Sequence, residues 1–328
     1  VIGQFIGVLS RDSGTSSDEM LKTTQELIPV LEREQANYEL ATAWRLVMTL
    51  HGVSGRYRLA GEASEKTLSY ARLAGNDRLI ARVAANLAVN ALYSETPVVQ
   101  GIAHCERLIT EGLTDRRIEL VVMCKLAQLR AMNGELEVAR KLYVQGRAGL
   151  RDLGRGASSA QSVIDLLQVE LQGGNLAAAE REAREDVEFL TQIGEKYYLS
   201  TAVALLSRVV RDQGRDDEAW VLSEAAEQAS APHDFESQAL WRSARAPILA
   251  RRGDTGNAEE LARAAVSIVQ NAEAPHLTAD ALVELASVLQ IAGKIDEARR
   301  TAGEAVELFR RKGCAYSAKR WGEWAGAL

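Results

Sequence analysis

The chain is poor in the residues on which most site chemistry rests. Its 328 residues include only three cysteines, Cys105, Cys124 and Cys314, widely spaced and without a CxxC pair. An odd, scattered set excludes a disulfide frame and predicts free, buried thiols in a reducing compartment. The four histidines, His51, His104, His233 and His276, are equally dispersed, and no Cys/His or Ser/His/Asp set can be assembled from their spacing. In "HCE", His104–Glu106, three potential ligands are adjacent. Neighbouring residues of a helix point about 100° apart and cannot converge on one metal. No metal and no cofactor is therefore expected. Apolar runs of about 18 residues, the length that spans a bilayer, are also missing. The longest, Val1–Leu9, has neither the basic flank nor the cleavage site of a signal peptide. A cytoplasmic module is expected, and the absence of an initiator methionine suggests a piece of something longer. Excess basic charge is missing too: 39 Lys and Arg against 45 Asp and Glu give −6, which argues against a nucleic-acid partner. Only five prolines and 5% aromatics, with abundant alanine, favour helix throughout.

What the sequence does contain is a repeat. "GELEVAR" (Gly134–Arg140) is followed by "GNLAAAE" (Gly174–Glu180), "GRDDEAW" (Gly214–Trp220), "GDTGNAE" (Gly253–Glu259) and "GKIDEAR" (Gly293–Arg299). "GRYRLA" (Gly55–Ala60) and a degenerate "TPVVQG" (Thr96–Gly101) extend the series upstream, so small anchors fall at 60, 101, 139, 179, 219, 258 and 298. Every gap is 38 to 41 residues. Glycine is lost in one copy while the small residue persists, so the small residue packs and the glycine caps. Apolar stripes at i, i+3, i+4 flank each motif, such as Leu120, Met123, Cys124, Ala127 and Ala131 before Gly134. Each unit reads as helix, tight turn, helix, with glycine as the C-cap and acidic residues opening the second helix. A phosphate loop is excluded, because it needs a preceding strand and several glycines.

A second small position precedes the anchor by twelve residues, at Ala127, Ser207, Ala246 and Ala286. Small residues in both helices allow close approach across the hairpin. The arrangement resembles the tetratricopeptide repeat, lengthened to about 40 residues. It predicts an all-α fold, a right-handed superhelical solenoid of about eight antiparallel helix pairs, elongated and curved. Residues 1–17 read as a lead-in segment, 18–313 as the array and 314–328 as a capping helix.

Longer stretches sharpen the resemblance: "LATAWRL" (Leu40–Leu46), "TPVVQGIAHCERLI" (Thr96–Ile109), "SQALWRSARAPILARRG" (Ser237–Gly253), "DALVELASVLQIAGKIDEA" (Asp280–Ala298) and "RRKGCAYSAKR" (Arg310–Arg320). In this order they resemble the C-terminal helical-repeat region of bacterial adenylate/guanylate cyclase–ATPase–TPR proteins, and similar arrays of large LuxR-class ATP-binding regulators. The resemblance implies upstream cyclase and ATPase domains, of which this chain would be the regulatory arm. No G-x4-G-K-[ST] motif is present, so no catalytic residues are assigned.

The tetratricopeptide geometry places the first helix of each pair on the concave side. The residue after the small position would then face inward: Gln128, Gln168, Arg208, Pro247 and Ser287, with Arg211 and Arg251 one turn on. This row reads either as a peptide-binding groove or as a solvated face. "WRSAR", with Trp241, Arg242 and Arg245, reads either as inter-repeat packing or as a patch for an acidic group. The expected function is a protein-interaction and regulatory scaffold. Its partner would be a protein, a peptide, the upstream domains or a second copy of itself, with no nucleic acid and no membrane. A sensor holding a small effector inside the superhelix is the alternative, and an enzyme ranks last.

Overall fold

A computed structural model describes residues 17–328 apart from 112, 114, 155–163 and 233. The lead-in segment and His233 thus lie outside the described residues, save Ser17. Sixteen helices and no strand occur among the described residues. A lone α1 (Ser17–Arg33) precedes seven hairpins. These are α2 (Asn37–Val53) with α3 (Tyr57–Leu73), α4 (Asp77–Tyr93) with α5 (Val98–Thr110), and α6 (Arg116–Met132) with α7 (Leu136–Asp152). Next come α8 (Asp165–Gln172) with α9 (Leu176–Gln192), and α10 (Lys196–Asp212) with α11 (Asp216–Ala229). The series ends with α12 (Phe235–Arg251) and α13 (Thr255–Val269), then α14 (Pro275–Ile291) and α15 (Ile295–Lys312). A single α16 (Ala315–Ala327) follows.

The glycines cap as the spacing predicts. After α6, the Gly134 N–H bonds to Ala131 O and the Glu135 N–H reaches back to Arg130 O, both at 2.9 Å, with Gly134 at φ 91°. This double closure satisfies carbonyls that the helix end would otherwise leave orphaned. The same turn ends the second helices, at Gly75, Gly154, Gly194 and Gly313, all with positive φ. The underlying unit is therefore about 20 residues, commonly a 17-residue helix and a three-residue link. Gln35 takes the same left-handed conformation at φ 52° without being glycine.

The small residues pack where the helices meet. Ala139, Ala179, Ala219, Ala258 and Ala298 have no exposed surface, nor do Ala127, Ser207, Ala246 and Ala286. Ser207 Oγ donates to Ala219 O at 2.7 Å, joining the two small positions of one hairpin directly. On the outside, ion pairs clasp successive hairpins in a recurring form. Glu180 and Arg184 of α9 meet Arg215 and Glu218, and Glu259 and Arg263 of α13 meet Lys294 and Glu297. Exposed pairs of this kind set register more than stability.

The array is not the open, elongated curve that the repeat alone suggests. It turns back on itself after five hairpins, so that the link after α2 meets the start of α12 and the link before α14. The Glu273 N–H donates to Gly55 O at 2.9 Å, and a Cβ on Gly55 would lie 2.7 Å from the Cβ of Ala272. One turn along, Lys312 at the end of α15 is wholly buried against the end of α4. Its Nζ donates to the carbonyls of Ala91, Ser94 and Thr96 at 2.9, 2.7 and 2.7 Å. A cation at a helix C-terminus complements its dipole. Apolar burial backs this seam, because one core cluster joins Leu92, Val98 and Ile102 to Leu282, Phe309 and Cys314. The three thiols are free and buried, and burial pushes those of Cys105 and Cys314 up to about 12.

Lys312→Met keeps the stem and strands three carbonyls. Stability should fall by roughly 3 kcal/mol in urea unfolding, with an increased radius of gyration by small-angle scattering. Unchanged values of both would show that the seam does not hold the turn closed.

Candidate functional site

Closing the turn makes the inner face of the array a lumen, lined mainly by the first helices of the hairpins. Among the described residues it shows two open hollows with a narrow waist between them. One hollow, of about 600 Å³, is bordered by α2, α3, α4, α6 and α10. The other, of about 540 Å³, is bordered by α8, α10, α12, α14 and α16. The waist is only about 60 Å³ and is shared by Tyr93, Gln128, Arg208, Glu236 and Asp280.

Several charged groups inside are neutralised by a partner. Lys125 and Asp165 form a buried salt bridge at 2.8 Å, and Gln128 Nε2 donates to the same Asp165 oxygen at 2.8 Å. Burial raises the pKa of Asp165, against the pull of Lys125. Arg211 grips Glu284 with two bonds of 2.9 Å and also reaches Asp212 and Ser243 O. Burial acts to lower the pKa of Arg211, but Glu284 and Asp212 outweigh it and the net shift is upward. Arg208 Nε lies 3.2 Å from Glu284 as an ion pair, without hydrogen-bond alignment. Asp280 nearby is pushed upward by burial and held back by Arg208.

Aromatics and one acid mark the waist. Tyr57 and Tyr93 stack at 5.5 Å, His276 packs on Tyr93 at 5.4 Å, and Tyr93 Oη donates to Glu236 at 3.3 Å. His276 is neutral, because burial and then Lys312 bring its pKa down to about 3. Burial, with Asp234 second, lifts Glu236 to about 7. His104, Cys105 and Glu106 diverge as expected: Cys105 is in the core, while Glu106 pairs with Arg130. No group of three potential ligands able to hold a metal occurs among the described residues, and no helix among them is long and apolar enough to cross a membrane.

The structure separates the sequence-predicted residues into two sets. Gln128, Gln168 and Arg208 line the waist, and Arg208, Arg211 and Arg251 line the smaller hollow with Pro247 and Ser287. Of these, Arg211 is locked to Glu284 and Arg251 is paired to Asp216. Trp241, Arg242 and Arg245 line none of these spaces. Trp241 is buried with Val203, Ala204 and Ala226. The guanidinium carbons of Arg242 and Arg245 lie 4.1 and 4.5 Å from its ring centre. Arg245 is further tied to Ser223 and Glu227, and Arg242 to Gln238. That geometry is inter-repeat packing. The ion partners Lys125, Asp165 and Glu284 escaped the sequence reading. All three occupy one register, fourteen residues before an anchor, where an ionisable residue interrupts an apolar stripe; that interruption was the available signal.

No protein-family model matches the chain, and no curated protein matches it in sequence. Solved structures do. A Rap protein complexed with competence and sporulation factor aligns over 95% of this chain and 97% of its own, with 12% identity and a TM-score of 0.59. NprR in complex with its cognate peptide NprX aligns over 93% and 84%, with 12% identity and a TM-score of 0.54. A signal-transduction ATPase with numerous domains and a tetratricopeptide repeat sensor, from Pyrococcus horikoshii, aligns over 95% of this chain at 11% identity, with a TM-score of 0.55. This chain spans about half of that protein, 54%. At such identities the likeness shows the fold, and the fold is a tetratricopeptide-like helical solenoid.

Two outcomes test the electrostatics of the lumen. Glu284→Leu removes the buried carboxylate that Arg208 and Arg211 share, leaving Arg211 only Asp212, and should cost about 3–5 kcal/mol in urea unfolding. A loss below about 1 kcal/mol, the range of exposed pairs, would mean the cluster is solvated. Glu236 tests the pH dependence. Its folded pKa of about 7 lies above the model-peptide value of 4.5, so the native state retains a proton that the unfolded chain releases. Stability contributed by this group therefore falls as pH rises from about 4.5 to 7. Glu236→Gln should match the parent near pH 4.5 and exceed it at pH 8 by on the order of 1–2 kcal/mol, discounted for lumen water. Equal stability at both values would contradict the assignment.

Proposed function

We propose that the chain is a peptide- or protein-binding regulatory module of a multidomain bacterial signalling protein, with the lumen of the superhelix as its binding site. The observation carrying this reading is the shape of the interior. Two open hollows of about 600 and 540 Å³ flank a waist of about 60 Å³. The waist lies below the roughly 300–1,000 Å³ that a small-molecule site usually takes, and the two hollows that reach that range stand open. An extended chain entering from the open side needs no enclosure. Polar side chains at helical spacing, such as Asn86 and Asn90 on α4, suit the alternating donors and acceptors of a peptide backbone. Two solved relatives in fold are described with a factor or peptide bound, and a third carries its repeats as the sensor of a larger ATPase. That last case supports an arrangement in which nucleotide-processing domains, such as a cyclase or ATPase, lie elsewhere in the parent protein and this array controls them.

Peptides selected from a random display library on the purified chain test the proposal. They should bind Arg300→Glu, altered on the exposed outer face of α15, as well as the parent chain. They should lose at least roughly tenfold in affinity, about 1.4 kcal/mol, on Asn86→Trp, which obstructs the larger hollow. Selected peptides that bind Asn86→Trp undiminished would move the site away from the lumen.

A further inference from the structure

In a chain of net charge −6, the larger hollow carries two cations that have no counter-ion among the described residues. Arg45 of α2 and Arg82 of α4 both line it, on successive inner helices. They are close enough that the charge of Arg82, after burial itself, depresses the pKa of Arg45. Neither makes an ion pair among the described residues, and the Nε of Arg45 is buried without a hydrogen-bond partner. By contrast Lys125, which lines the same hollow, and Arg208 and Arg211 beyond the waist each face a carboxylate within 3.2 Å. The acids that share this hollow are engaged: Glu195 caps α10 by accepting from the Tyr197 and Tyr198 amides, and Glu236 accepts from Tyr93. Arg45 is half-buried and Arg82 is exposed to the hollow, so the one charge is partly desolvated and the other stands open to a ligand. A carboxylate placed between them would gain charge-assisted bonds from planar forks.

We propose that Arg45 and Arg82 form a carboxylate-binding subsite in the larger hollow, which selects peptides carrying an acidic residue. The inference rests on the lumen being the peptide site and names the chemistry of its ligand. Asn86 and Asn90 continue from Arg82 at intervals of four along α4 and line the same hollow. A bound chain would thus meet amide groups beside the arginine pair. That combination suits a peptide with an anchored acid better than a free inorganic anion. No covalent step is involved.

The test uses two pools of random heptapeptides, acetylated and amidated at their ends. One pool has glutamate fixed at its central position and the other has glutamine there. The parent chain should bind the glutamate pool roughly tenfold more tightly by calorimetry, with a preference that shrinks as salt is raised. Arg45→Gln/Arg82→Gln should retain its helical circular dichroism and bind both pools equally. Equal binding of the two pools by the parent chain would overturn the subsite while leaving the lumen as a peptide site. Binding of neither pool would count against both. A ligand-free measurement stands beside these. Arg82→Gln alone should raise the melting temperature at low ionic strength, because it removes a like charge beside Arg45. A lowered melting temperature would reveal an internal acidic partner and overturn the subsite.

Discussion

Close approach of two helices across each hairpin is the constraint on which everything else depends. It is set by small residues twelve positions apart, and in one hairpin it is visible as a single bond, Ser207 Oγ to Ala219 O at 2.7 Å. Pairs packed this tightly let successive units crowd on their inner side, and the array curls within five hairpins into contact with itself. The seam that results is specific. It places Lys312 on three carbonyls of the α4 end and leaves room at Gly55 for no side chain. Without the small residues there would be no tight turn, and without the turn no lumen.

Enclosure then dictates the chemistry of the inner face. An ionisable group that would be hydrated on an open concave surface loses water when the turn closes, so it needs a partner or a shifted pKa. Lys125 with Asp165, and Glu284 with Arg208 and Arg211, answer by pairing. Glu236 answers with a pKa near 7 and a bond from Tyr93. Arg45, half-buried with a lowered pKa, and Arg82, exposed to the hollow, form no ion pair among the described residues. That departure distinguishes a group reserved for a ligand from groups that hold the fold.

Local features of this architecture are legible in the sequence, and long-range ones are not. The 40-residue period, the capping glycines and both small positions follow from spacing, because each acts within one hairpin. The finer 20-residue period was present in Gly75, Gly154, Gly194 and Gly313, but is obscured where α11 and α13 end without glycine. The seam could not be read, since Lys312 contacts residues more than 200 positions away and its "RRK" setting looks like an ordinary charged helix end. The inward row through Gln128 and Arg208 was accessible from the repeat register. That Arg211 is occupied by Glu284 was not, because the pair bridges α10 and α14. For Trp241 with its arginines the sequence left two readings open, and the geometry is that of packing of α12 against its neighbours.

The claim on which the account stands is that the array closes on itself. Spin labels at Glu95 and Arg311, which face each other across the seam as an ion pair at 3.0 Å, report on it directly. The three native thiols are buried and leave such labels at cysteines placed there distinguishable. Pulsed dipolar spectroscopy should give one short, narrow distance distribution. A long, broad distribution would contradict the closed turn, and with it the lumen.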